Sequence, residues 1–172
     1  DITIKNKYAT VIDLNGHKIT GGTLTLDNGV NLTITDESEG KNGSFANVTV
    51  NAGASLTVDS GISVGRITAS DKTAKITLKE GSSFTGYDRV YGMALMDWVE
   101  DGYYIKDGDR YESLSAVGSI DTSGTAKTGA YTVTKASATI TASNRTGEIE
   151  HGAKVSASFL PTITDTNGTT PD

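Results

Sequence analysis

Leu24-Thr25-Leu26-Asp27-Asn28-Gly29-Val30-Asn31-Leu32-Thr33 recurs twice without a gap, as Val48-Thr49-Val50-Asn51-Ala52-Gly53-Ala54-Ser55-Leu56-Thr57 and as Ile76-Thr77-Leu78-Lys79-Glu80-Gly81-Ser82-Ser83-Phe84-Thr85. Each copy reads apolar, Thr, apolar, two polar or small residues, Gly, two variable residues, apolar, Thr, a self-similarity that marks a repeat architecture. Side chains alternate across a strand, so the apolar residues flanking the first Thr point to one face and the Thr to the other. Gly29, Gly53 and Gly81 permit a corner, and a second short strand then carries Leu32, Leu56 or Phe84 inward. The copies begin 24 and then 28 residues apart, a length that suits one circuit of a three-sided coil of short strands. One coil cannot bury its apolar row alone, so several must stack.

Working outward, Ile62, Val64 and Ile67 alternate after the second copy and supply a further side, as Ile12 and Leu14 do ahead of the first. Val11 to Thr20 reads as a shortened opening coil. The expected fold is all-β, a right-handed parallel β-helix (β-solenoid) over residues 1–90, followed by an aromatic cap with a hairpin and an additional β segment. An antiparallel β-sandwich would use similar strands and turns but does not predict the repeat.

Composition agrees with this class. β-branched residues favour a pleated surface, and Gly, Asn and Asp supply turns. The formal charge of -6 and pI near 4.9 argue against a phosphate-binding surface, so no nucleic acid is expected as partner. No stretch approaches the roughly 18–20 apolar residues of a membrane-spanning helix, so no membrane insertion is expected. There are no cysteines, which removes disulfides, thiolate metal sites and Cys nucleophiles together. The absence of an initiator Met and of a hydrophobic leader reads as a segment taken from within a longer protein.

Ile12 to Gly16, the Leu-Thr-Leu and Leu-Thr-Ile runs and the Gly at each corner resemble the right-handed β-helix regions of secreted or wall-attached proteins of Gram-positive, often gut-dwelling, bacteria. The resemblance covers about half the chain. It implies a secreted, cell-wall or cell-surface location and a noncatalytic structural or adhesive role. Such coils also occur in stalks, tail spikes and polysaccharide lyases, so the resemblance specifies fold more than activity.

Between Tyr87 and Leu114 the texture changes: Tyr87, Tyr91, Trp98, Tyr103, Tyr104 and Tyr111 are six of the chain's eleven aromatics. Two readings stand side by side. Packed over the last coil, these rings form a cap, which an open sheet edge needs. Exposed, they are a ligand-binding platform on which sugars stack, and a host or microbial surface glycan or protein would be the partner. Gly92 to Val99 reads as a short helical turn, Asp101 to Gly108 as a hairpin with an Asp-Gly turn. Residues 91–130 thus make cap, hairpin and connection, and 131–172 a β segment similar to the opening of a bacterial immunoglobulin-like module. A segment too short to fold alone must pair elsewhere, so 131–165 is expected on the solenoid or, by strand exchange, on a second chain.

No catalytic constellation emerges, and no cofactor or metal is expected. His17 and His151 lie far apart and read as solvated turn residues. Asp36, Glu37 and Glu39 form an acidic turn expected to face water. Asp107, Asp109 and Glu112 have a spacing similar to a calcium loop without its full pattern. A lyase would need a carboxylate cluster with a basic residue, for which Arg66, Asp88 and Arg89 are the nearest candidates.

Overall fold

A computed structural model of the chain describes residues 1–88, 93–108, 110–111 (backbone) and 127–135, all within one compact unit, Asp1–Lys135. Nine strands wind into the solenoid: β1 (Ile2–Ile4), β2 (Ala9–Asp13), β3 (Lys18–Leu26), β4 (Asn31–Thr35), β5 (Ser44–Val50), β6 (Ser55–Val58), β7 (Ser63–Ala69), β8 (Lys75–Leu78) and β9 (Ser83–Asp88). Odd strands stack in one parallel sheet in the order β1-β3-β5-β7-β9, even strands in a second in the order β2-β4-β6-β8.

Like residues stack on like. Ile2, Leu24, Val48, Ile67 and Tyr87 form one inward column, and Leu32, Leu56 and Ile76 another. Thr25, Thr49 and Thr68 form an outward row on the first sheet, Thr33, Thr57 and Thr77 on the second. From Leu24 onward the inward positions are buried, which is the apolar core the alternation predicts.

The longer sheet bends along its own strands, giving the coil its third side. Pairing between β5 and β7 skips Ala46 and Gly65, and pairing between β7 and β9 skips Gly65 and Thr85. At this corner the Ala46 carbonyl turns toward the strand above it: a Cβ on Gly65 would lie 1.9 Å from that oxygen. Glycine is required there by close approach of two backbones. Thr85 closes the next step by donating its hydroxyl to the Gly65 carbonyl at 2.9 Å.

The solenoid expectation holds, and its phase changes. Ile76-Thr77-Leu78 lies in β8 and pairs with Leu56-Thr57-Val58, whereas the first two copies begin in β3 and β5. The third copy therefore starts half a coil later. The same ten-residue pattern serves either of two corners, so it cannot tell one from the other. The first spacing is a true coil, Leu24 meeting Val48 after 24 residues, but the later coils are shorter: Val48 meets Ile67 after 19 and Ile67 meets Tyr87 after 20. The opening coil also begins earlier than Val11, at β1.

Three antiparallel strands complete the first sheet. β12 (Lys127–Lys135) pairs with β9, β10 (Tyr103–Asp107) pairs with β12, and β11 (Arg110–Tyr111) closes a hairpin with β10. The helical turn expected at 92–99 is a 3-10 turn, Leu95–Trp98. The Ala94 N–H donates to its Asp97 carboxylate at 3.1 Å. Tyr131 sits in β12 opposite Phe84, and the compact unit ends at Lys135. Residues 131–135 thus realise pairing on the solenoid, and the remainder of the immunoglobulin-like segment lies outside the described residues.

Candidate functional site

The aromatic segment closes the far end of the stack. Phe84 and Tyr131, brought opposite by the β9–β12 pairing, stack with centroids 4.8 Å apart and planes 19° apart. Tyr87 meets Tyr131 edge-on at 5.2 Å and Trp98 edge-on at 6.0 Å. Trp98 is 1% exposed and Tyr87 2%. Burying an indole removes roughly 200 Å² from water, about 5 kcal/mol at 25 cal/mol/Å². That outweighs the roughly 1–3 kcal/mol for leaving its N–H unpaired, and among the described residues the Trp98 N–H has no acceptor.

Rings this deep present no face to a sugar. Tyr87 and Trp98 are therefore core residues of the cap and leave the expected platform. Tyr103 and Tyr104 remain, half-buried at the start of β10. They line a recess of about 210 Å³ with Met96, Val99, Glu100 and Asp101. Glu100 forms an exposed ion pair with Lys79. Tyr91 and the Tyr111 side chain lie outside the described residues. Phe84 and Tyr131 are the members of the aromatic cluster that sequence reading left out, because the register uniting them joins distant segments.

A second cluster escaped as well. Glu37 and Glu39 are exposed as expected, but Asp36 is buried. Its carboxylate accepts N–H bonds from Gly43 at 2.6 Å, Gly16 at 2.8 Å and Ser38 at 3.0 Å. The Ser38 side chain beside it, with these three N–H donors, holds the carboxyl down to about 2 against the opposing pull of burial. A Cβ on Gly43 would come within 2.7 Å of the Asp36 carboxylate and 2.9 Å of Leu14 Cβ, so this glycine is fixed by space. The signal lay in one acid flanked by two corner glycines. Asp36 ties the turn after β2 to the base of loop 36–43.

The remaining candidates are separate. His17 is exposed; His151, Arg89, Asp109 and Glu112 lie outside the described residues. Asp107 accepts the Ala130 N–H at 3.0 Å, a strand-pairing role. Arg66 donates to the Tyr87 carbonyl at 3.3 Å and to the Thr128 hydroxyl at 3.2 Å, bracing β7 to β9 and β12. Among the described residues no three His, Asp or Glu side chains are grouped to hold a metal ion. Among them, too, no helix is long and apolar enough to cross a membrane. Comparison with protein-family models, curated proteins and solved structures gave no match, so the β-solenoid and its capped end are what the chain's identity rests on.

Proposed function

We propose that this chain is a noncatalytic structural or adhesive module of an exported bacterial surface protein. The observation that carries the reading is the unbroken sheet from β1 to β11, whose eight strands span about 33 Å at roughly 4.8 Å per step. Backbone hydrogen bonds set that length, and the outward rows of Thr25, Thr49 and Thr68 and of Thr33, Thr57 and Thr77 give short, neutral outer faces. A spacer needs this combination of fixed length and regular outer surface. Deleting residues 47–65 removes one coil while keeping the corner geometry on either side. Small-angle scattering should then show a folded particle shorter by about 5 Å, and collapse of the remaining coils to disorder would defeat the spacer reading.

The recess at Tyr103 and Tyr104 favours a second reading, a carbohydrate-binding module. Half-buried phenol rings beside the Glu100 and Asp101 carboxylates offer a stacking face and hydroxyl acceptors together. In heteronuclear spectra, a bound glycan should shift amide signals within 96–104 and leave β3 to β6 unmoved. Silence of those signals across mucin-type and microbial wall glycans would dispose of it.

A further inference from the structure

Three of the chain's four Asn-Gly pairs lie among the described residues: Asn15-Gly16, Asn28-Gly29 and Asn42-Gly43. All three asparagines are exposed. An Asn before Gly is chemically labile, because glycine has no Cβ to keep its amide nitrogen from the preceding carboxamide. That nitrogen attacks Cγ, a new N–Cγ bond closes a five-membered imide, and the Cγ–Nδ2 bond breaks. The glycine N–H proton leaves with the side-chain nitrogen as ammonia. Water then opens the imide at either carbonyl, giving aspartate or its β-linked isomer with no oxidant or reductant.

What separates the three pairs is the glycine nitrogen. Gly16 N–H donates to one Asp36 carboxylate oxygen at 2.8 Å and Gly43 N–H to the other at 2.6 Å. A single buried carboxylate thus holds the attacking atoms of two pairs. Removing a proton from either amide sets an anion against that carboxylate, a repulsion that slows the step about fivefold in water and far more in a drier site. The hydrogen bond also fixes each peptide plane, which has to turn for the nitrogen to reach Cγ. Gly29 N–H has no acceptor among the described residues. Its counterparts in the later repeat copies are held: Gly53 N–H donates to Thr73 Oγ1 at 3.0 Å and Gly81 N–H to the Val133 carbonyl at 2.9 Å. Asn28 Nδ2 donates to the Ala52 carbonyl at 2.8 Å, a bond to the group that leaves.

We propose that Asn28 is a self-modification site, converted to aspartate or isoaspartate through the Gly29 nitrogen, and that Asp36 guards Asn15 and Asn42 from the same reaction. The product has a local consequence. A carboxylate at position 28 cannot donate to the Ala52 carbonyl, and it adds charge beside Asp27, whose carboxylate accepts the Asn28 N–H at 2.9 Å. The β-linked isomer also lengthens the main chain at a tight place, where a Cβ on Gly53 would come within 3.1 Å of Asn28 Nδ2. Modification therefore loosens the corner that joins the first two repeat copies and leaves both ends of loop 36–43 intact.

Peptide mapping of the 172-residue chain, aged in warm, mildly alkaline buffer, tests this by measuring conversion at each pair. Asn28 should convert at least about fivefold faster than Asn15 or Asn42; equal rates, or Asn42 in the lead, overturn the proposal. In concentrated urea the three rates should converge, because the fold and not the neighbouring residues sets the order. An order that persists in the unfolded chain overturns it. Asp36→Asn should raise the rates at Asn15 and Asn42 toward that at Asn28, which stays unchanged. The Leu14 and Ser44 amides, bonded to the Thr35 and His17 carbonyls, should remain slow in hydrogen exchange in that variant. No rise, or a rise only where those amides exchange freely, overturns the guard role of the carboxylate. Asn28→Asp should lower the urea midpoint, and an unmoved midpoint would overturn the loosened corner.

Discussion

The two ends of the solenoid solve one physical problem differently. Any stack of parallel coils leaves a row of main-chain groups and a layer of inward apolar side chains at each end. At the far end the chain itself satisfies both: β12 supplies antiparallel hydrogen bonds to β9, and Phe84, Tyr87, Trp98 and Tyr131 fill the space over the last coil. At the near end Ile2 and Ile19 occupy the same inward columns as Leu24 and Phe45 and stay exposed. Burial in a solenoid is thus a property of the neighbouring coil more than of the residue. The same column position is core or surface according to what lies above it.

That contrast is sharpest if the stack is cut between the ends. Gly65→Ala places a Cβ 1.9 Å from the Ala46 carbonyl oxygen, and backbone must move to admit it. The expected loss is about 4–5 kcal/mol, the upper range for single substitutions, read as a lowered urea midpoint. Hydrogen exchange should rise on both sides of the corner. A change under about 1 kcal/mol would mean that the corner yields, against the close packing that interiors normally show.

Trp98→Ala probes the capped end and should cost about 3–5 kcal/mol, because the aromatic lid has no room to collapse onto β9. If it cost no more than a surface change, the cap would be a decoration on a stack stable without it.

Acid separates the ends by another route, since Asp36 sits near the open one. Its folded carboxyl titrates at about 2 and its ordinary value is 3.8. A lowered folded value means stability that is present above 3.8 and lost as pH falls through about 2. Asp36→Asn should be less stable than the parent at neutral pH and should flatten the acid limb between these values. Parallel curves for the two proteins would show that the carboxylate contributes nothing through its charge.

The smallest effect belongs to the uncovered coil. Val11 stands in the outward row that continues as Thr33, Thr57 and Thr77. Val11→Thr should shift stability by no more than about 0.5 kcal/mol and lower the tendency to adhere to apolar resin. A larger destabilisation would mean that this side chain is packed in solution.

Much of the fold was legible because a stacked strand writes its inside and outside in alternate residues: Leu24, Thr25, Leu26 and their counterparts carry the pattern openly. The phase was not, because corners near Gly29 and Gly81 share one local chemistry while belonging to different sides of the coil. β1 was missed because three residues carry too little alternation, and β12 was left open between the solenoid and a second chain because its pairing with β9 joins positions 40 or more residues apart. The site was less legible than the fold. Tyr87 and Trp98 read equally well as lid or platform from composition, and only their burial separates the two. Asp36 was hidden among carboxylates that do face water, since sequence shows an acid's neighbours in the chain and not its hydrogen-bond donors.

Loop 36–43 is twice as long as the other connections at its corner, such as 59–62 and 79–82, yet it leaves the register of the coils beneath it intact. Asp36 accounts for this by clasping Gly16 and Gly43, so the loop leaves and rejoins the stack at fixed points whatever its length. Residues 39–42 are consequently a handle outside the hydrophobic stack. Doubling such a loop costs only about 0.6 kcal/mol in closure entropy, so a foreign peptide inserted directly after Glu39, which keeps the Ser38 donor on Asp36, should be carried without disturbing the coils, and this is where length variation can accumulate freely.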